Sequence, residues 1–78
     1  MTITQEWMLS KMKDGAHIKV ENISSRKQKS FLVINDVPTS MSNLTFYKLL
    51  GLGMISRTNQ ENKTDYYTIT NRGIKTIK

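Results

Sequence analysis

The feature that most restricts this chain is that its 78 residues must fold without a cysteine. A disulfide framework, a thiolate zinc site and a cysteine nucleophile are therefore excluded, and the single histidine, His17, excludes a cluster of histidine ligands. A chain of this length buries only about 60% of the surface that its unfolded form exposes. We expect one domain over residues 1–78, with a small core whose marginal stability a homodimer would increase.

The charge of the chain is strongly positive. Twelve Lys and Arg against six Asp and Glu give a net charge of +6 and a pI of about 9.9. Such an imbalance suits a polyanionic partner, nucleic acid above all.

The sequence carries no sign of a membrane or an export signal. Its longest apolar runs are far shorter than the ~20 residues that span a bilayer. Its first residues lack the charged and apolar regions of a signal peptide. We therefore expect a cytoplasmic protein of bacterial or viral origin with no membrane partner.

The first predicted element is an amphipathic helix over residues 4–14, because the apolar side chains there have helical spacing. Thr4 is its expected N-cap, and Gly15 can take the left-handed conformation that stops it. Trp7 lies off the apolar face. We expect it to pack under the C-terminal segment, the alternative being exposure to a partner.

Two strands are predicted next. Alternating residues from His17 predict a half-buried strand over residues 17–22, and a continuous apolar run predicts a second strand over residues 30–35. The polar stretch 22–30 between them is expected to be a hairpin loop. Pro38 and the two residues before it are expected to end the second strand, because proline donates no ladder hydrogen bond.

The rest of the chain shows a helical pattern followed by two β-rich runs and a short terminal helix. The predicted elements are a helix over 42–52 capped by Ser42 and ended by Gly53, strands over 54–58 and 66–70, and a helix over 71–78 capped by Thr70. The fold is therefore predicted to be α+β with the order α-β-β-α-β-β-α.

Two segments of the second half resemble winged helix domains. There a recognition helix runs through a Leu-Leu pair to Gly-Leu-Ile, and a wing hairpin ends in Tyr-x-Leu-Thr-x-x-Gly. The corresponding residues here are Leu49, Leu50, Gly51, Leu52, Gly53, Met54 and Ile55, then Tyr67, Thr68, Ile69, Thr70, Asn71, Arg72 and Gly73. Isoleucine replaces the leucine of the signature, and methionine precedes Ile55.

The N-terminal part of the chain is similar to a compact, phage-associated subgroup of these domains, in which a β-hairpin replaces the usual second helix. The residues that carry this similarity are Ile3, Thr4, Gln5, Met8, Leu9, Met12, Gly15, Ala16 and Ile18. The resemblance implies a winged-helix-like fold that binds double-stranded DNA as a phage or prophage transcriptional regulator.

Catalysis has little support in the sequence. The six acidic residues are scattered, no catalytic triad or carboxylate pair is apparent, and a surface role for His17 is far more common than a general base. The glycines at 51, 53 and 73 do not form a phosphate-binding loop. We expect a protein that is not an enzyme and that binds no cofactor or metal.

The candidate DNA-contact residues fall into three polar clusters. They are Ser42, Asn43, Thr45, Tyr47 and Lys48 on helix 42–52, Arg57, Asn59, Gln60, Asn62 and Lys63 on wing 56–66, and Arg26, Lys27 and Lys29 on the loop between the first two strands.

The helix is expected to enter the major groove and the wing to contact the backbone. Asn43 can pair with adenine and Thr45 can contact a thymine methyl group, whereas Tyr47 and Lys48 suit phosphates. The alternatives are that Asn43 and Thr45 are ordinary first-turn helix residues and that the wing is a solvated hairpin. The loop contributes only if the fold brings it to the DNA.

The sequence is also compatible with a second function. The same order of elements is similar, more distantly, to a small bacterial family of toxins that inhibit topoisomerase. In that case the chain would bind and modulate a host enzyme, and exposed Trp7, Leu44 and Tyr47 would be the anchors, because aromatic side chains dominate interface hot spots.

Overall fold

The computed structural model describes residues 3–77, with only the backbone of residue 3. The elements, in chain order, are α1 (Ile3–Lys13), β1 (His17–Ser24), β2 (Lys27–Ile34), β3 (Val37–Met41), α2 (Asn43–Gly51), β4 (Ile55–Glu61), β5 (Thr64–Ile69) and α3 (Asn71–Thr76). The predicted α+β class is confirmed. The predicted order of elements lacks one strand. No helix within residues 3–77 has the length and apolar character needed to cross a membrane.

The strands form one antiparallel sheet in the order β3-β2-β1-β5-β4. β1 is the central strand, because it pairs with β2 on one side and with β5 on the other. Its side chains alternate: Ile18 and Val20 are buried, whereas His17 and Lys19 on the other face are half-buried. One face of the sheet therefore faces the core.

The helices cover that face. Leu9 of α1 and Leu49 of α2 are fully buried in the same hydrophobic cluster as Ile18 and Leu32 of the sheet. Ile77, just after α3, packs against the edge of this cluster. The core therefore lies between one layer of helices and one sheet.

The strand missing from the prediction is β3. Asn35 and Asp36 both have positive φ angles, 52° and 65°, and form a two-residue turn of the kind that closes tight hairpins. Pro38 pairs with Val33 on this hairpin. Hydrogen-bonded and non-hydrogen-bonded pairs alternate along the ladder from the turn, and Pro38 lies in a pair of the second kind. Its nitrogen therefore faces the outer edge of the sheet, where the lack of an N–H costs no ladder hydrogen bond. β2 does end before these residues, at Ile34, as predicted, but Pro38 itself lies in a further strand that the sequence did not predict.

The predicted loop 22–30 and the gap between the predicted strands 54–58 and 66–70 are both shorter than expected. β1 and β2 continue to Ser24 and Lys27, and β4 and β5 continue to Glu61 and Thr64. Residues 22–30 and 59–65 are therefore mostly strand. Their polar composition did not indicate this, because a solvated hairpin needs no apolar side chains near its tip.

Two expectations for α1 were wrong. The helix begins at Ile3, so Thr4 lies within its first turn and is not the N-cap. Trp7 is 47% exposed, and the Lys11 ammonium lies 5.8 Å from the centre of its ring. Trp7 lies off the core-facing stripe of α1, so about half of its surface stays open to solvent. Gly15 does take a positive φ, as predicted, at 116°.

The Thr-x-x-Gly part of the wing signature, Thr70 to Gly73, has a structural reason. Thr70 is the N-cap of α3, as predicted: its hydroxyl accepts from the Gly73 N–H at 3.2 Å and donates to the Gly53 carbonyl at 2.7 Å. A Cβ on Gly73 would lie 2.6 Å from the Met54 carbonyl oxygen and 2.7 Å from Ile69 Cγ1. Threonine and glycine are required here to dock α3 on the sheet. α3 ends at Thr76, and position 78 lies outside the described residues.

We predict opposite effects for two glycine substitutions. Gly73→Ala should lower the free energy of unfolding by roughly 1–3 kcal/mol, because the new methyl group overlaps a backbone oxygen. Gly51→Ala is the matched control: its Cβ meets nothing within 4 Å, and alanine in a helix should stabilise by about 0.5–1 kcal/mol. Urea unfolding followed by circular dichroism measures both. Equal stability of the two variants would contradict this account of the motif.

Candidate nucleic-acid interface

The sheet brings the tips of its two long hairpins together. β1 and β5 are neighbours and antiparallel, so the end of β1 lies beside the start of β5. Asn22 fixes this contact: its backbone N–H and its side-chain Nδ2 both donate to the Lys63 carbonyl, at 2.8 and 3.0 Å. The turns at Ser25–Arg26 and Asn62–Lys63 therefore share one end of the sheet.

The same end of the sheet holds the start of α2. Ser42 follows β3 and is the N-cap, as predicted, accepting from the Leu44 N–H at 3.2 Å. Asn43 ties the helix to β2: its Nδ2 donates to the Gln28 carbonyl at 3.1 Å, and its Oδ1 accepts from the Ser30 hydroxyl at 2.6 Å. Ser30 is 2% exposed. Asn43 therefore positions α2 against the first hairpin.

A groove of about 460 Å³ lies between this hairpin and α2, and we refer to it as the hairpin–helix groove. It is lined by Asn22, Ile23, Ser24, Ser25, Arg26, Lys27, Gln28 and Lys29 from the hairpin and by Asn43 and Tyr47 from α2. The Gln28 Nε2 atom is buried there without a hydrogen-bond partner among the described residues. The groove is therefore lined by positive charge and by an aromatic ring.

Lys29 contributes charge to the rim of this groove. It pairs with Glu21 across the β1–β2 ladder, on the sheet face opposite to Ser30. Glu21 in turn lies 3.2 Å from the Lys19 ammonium. Lys29 therefore adds to the potential of this end of the sheet without reaching the floor of the groove.

The outward face of α2 is apolar at its centre. Phe46 and Leu49 face the core, and successive helix residues are about 100° apart, so Leu44 lies directly opposite the buried side. Leu44 is 68% exposed and Tyr47 beside it is 52% exposed. Lys48, also exposed, lies on the other flank of Leu44. Thr45 is half-buried at the edge of the helix.

The residues of the predicted wing are divided between the two faces of the sheet. Arg57 pairs with Tyr67 and Gln60 with Asp65, on the face that carries α2. Asn59 pairs with Tyr66 on the opposite face, beyond an irregularity in β4, and its side-chain oxygen accepts from the Gln60 N–H at 2.8 Å. Asn59 is therefore not brought to α2.

Arg57 is partly neutralised within the chain. Its Nη1 lies 3.9 Å from Oδ1 of Asp65, a carboxylate whose side chain is only 14% exposed. Asn22 Nδ2 donates to the other carboxylate oxygen at 3.4 Å. Because the arginine side chain is half-exposed, the pair is screened by solvent, and Arg57 stays accessible to a second anion.

Tyr67 joins the β4–β5 hairpin to α2. Its ring meets Phe46 edge-on at a centroid distance of 4.8 Å. Burial, and then the Asp65 carboxylate, raise the pKa of the Tyr67 phenol above its ordinary value of 10.0. The phenol is therefore neutral at physiological pH and adds no negative charge beside α2.

The structure brings most of the predicted site residues to one end of the sheet. All of the predicted site residues are exposed except Thr45, which is half-buried. Those that meet around α2 and the two turns are Asn43, Tyr47, Arg26, Lys27, Lys29, Asn62 and Lys63. The cations at this end outnumber the acids, of which Glu61 is the one nearest the second turn. Such a surface suits binding to a line of phosphates.

Two polar residues of this surface were not among the predicted candidates. Asn22 continues the alternation of Ile18 and Val20, so a polar side chain on the core face was the available signal. Gln28 carried no such signal, because the stretch around it was predicted to be a loop.

Within residues 3–77, no three His, Asp or Glu side chains come together as a metal site would require. Comparisons with protein-family models, with curated proteins and with solved structures find no match to this chain.

We predict that Asn43→Ala destabilises the fold. The substitution leaves the buried Ser30 hydroxyl without a partner, which should cost about 1–3 kcal/mol in urea unfolding. In a double-mutant cycle, Ser30→Ala and Asn43→Ala should be less than additive, because both remove the same hydrogen bond. An Asn43→Ala protein as stable as the parent would contradict the positioning role of Asn43.

Proposed function

We propose that this protein is a small double-stranded DNA-binding protein of the winged-helix type, acting as a transcriptional regulator. In this proposal α2 enters the major groove, and the turns of the β1–β2 and β4–β5 hairpins contact phosphates on either side. The observation that carries the proposal is the meeting of both turns and the start of α2 at one end of the sheet.

The dimensions and charges support this arrangement. An α-helix with its side chains is about 10–12 Å across, which fits the ~12 Å width of the major groove. Arg26 and Lys63 lie at the two turns, and the positive net charge of +6 adds long-range attraction to a polyanion. Neither turn residue forms an ion pair among the described contacts.

The resemblance of the sequence to phage-associated winged helix domains supports a phage or prophage origin and binding to an operator as a homodimer. The β1–β2 hairpin would then stand in the place of the usual second helix. Its contact with α2 through Asn43 gives it the supporting role that this helix would have.

The test is the salt dependence of binding to a labelled random-sequence duplex, followed by fluorescence anisotropy. With four to six phosphate contacts, affinity should fall on the order of 10²- to 10³-fold between 50 and 200 mM salt. Arg26→Ala and Lys63→Ala should each reduce the slope of log K against log salt by roughly one.

Lys13→Ala is the matched control for these variants. Lys13 is exposed at the end of α1, beside the start of β1 and at the opposite end of the sheet. Its loss should leave the slope unchanged. A shallow slope for the parent protein, or equal slopes for all three variants, would contradict the proposal.

One observation favours a second function, in which the chain binds and modulates a host enzyme. Trp7 and Leu44 are both exposed, as that function requires of anchor residues. Under this alternative Trp7→Ala would abolish capture of the enzyme and leave any DNA binding intact. A topoisomerase is the enzyme to test first.

A further inference from the structure

The exposed face of α2 is unusual for a surface that would meet DNA, because its centre is a leucine. Leu44 points directly away from the core and is 68% exposed, more than any other large apolar side chain among the described residues. No packing among the described residues requires a side chain of this size there.

The polar residues of α2 that suit base reading are committed elsewhere. Both ends of the Asn43 amide are hydrogen-bonded to β2, and Thr45 is half-buried at the side of the helix. Ser42 is occupied as the N-cap. The side chains left to face a partner are therefore those of Leu44, Tyr47 and Lys48.

The charges around Leu44 indicate the chemical character of a partner that would bind there. Lys48 lies next to it on α2, and Arg26 and Lys63 lie at the two turns beyond the start of the helix. An apolar side chain in such a setting suits a partner that is anionic at its rim and apolar at its centre. The major groove has this character where thymine presents its C5-methyl group between two phosphate backbones.

We propose that Leu44 determines base specificity by contacting thymine methyl groups, with Tyr47 packed alongside. This inference rests on the proposed binding of duplex DNA and adds the identity of the bases that the helix prefers. Asn43 acts in it only as a positioning residue.

The experiment compares two duplexes that differ only in the methyl group. One is an alternating A·T duplex, and the other has deoxyuridine at every thymine. Since each base pair of the first carries a methyl group in the major groove, the result does not depend on the register of binding. Both duplexes have the same phosphates, so they report the proposed function equally.

The parent protein should bind the thymine duplex about fourfold more tightly for each methyl group that Leu44 covers. Leu44→Ala should bring the ratio of the two affinities close to one and leave the salt slope unchanged, because leucine carries no charge. The substitution should not unfold the protein, since the side chain is mostly exposed.

Val37→Ala is the control. Val37 is also a large exposed apolar residue, at 61%, but it lies beside the Asn35–Asp36 turn at the other end of the sheet. It should keep the preference for thymine. Equal binding of both duplexes by the parent protein, or a preference that survives in Leu44→Ala, would overturn the inference. Salt-dependent binding in either case would leave the proposed function standing, whereas no binding to either duplex would overturn both.

Discussion

The pairing of β1 on both of its edges is the interaction on which the rest of the structure depends. It joins the β1–β2 hairpin to the β4–β5 hairpin, although the two are far apart in the chain. The same strand supplies Ile18 and Val20 to the core, so the contact between hairpins and the burial of the helices are fixed by the same residues. At its end, Asn22 holds the second turn beside the first. In a chain with little core to spare, one strand thus provides both stability and the geometry of the candidate interface.

The position of α2 follows from this frame. Ser42 caps the helix as it leaves β3, and the Asn43 amide connects it to β2, while Phe46 meets Tyr67 on β5. The helix is therefore held from both hairpins, and its free face is the one that points away from the sheet. Because the Asn43 amide is engaged in this way, in our proposal base recognition falls to the exposed side chains beyond it. In that proposal, positioning and recognition are separated between neighbouring residues of one helical turn.

Much of the fold could be predicted from the sequence, because periodicity and caps are local signals. Three helices, four of the strands and the caps Ser42 and Thr70 follow from such signals. β3 could not be predicted, because Pro38 is compatible with a strand only at an outer edge, and that depends on the pairing partner. The exposure of Trp7 and the engagement of Asn43 likewise depend on tertiary contacts. The candidate clusters were predicted from residue types, whereas their meeting at one end of the sheet follows from the β1–β5 pairing, which no local pattern encodes.

The most direct test of the central claim, that both turns and α2 form one surface for duplex DNA, is a nuclear magnetic resonance titration of the ¹⁵N-labelled protein with a short duplex. We expect the amide resonances of residues 22–29, 43–48 and 60–64 to shift together, while those of α1, α3 and the Asn35–Asp36 turn stay in place. Shifts centred on the exposed face of α1 around Trp7, or on only one of the two turns, would contradict this claim.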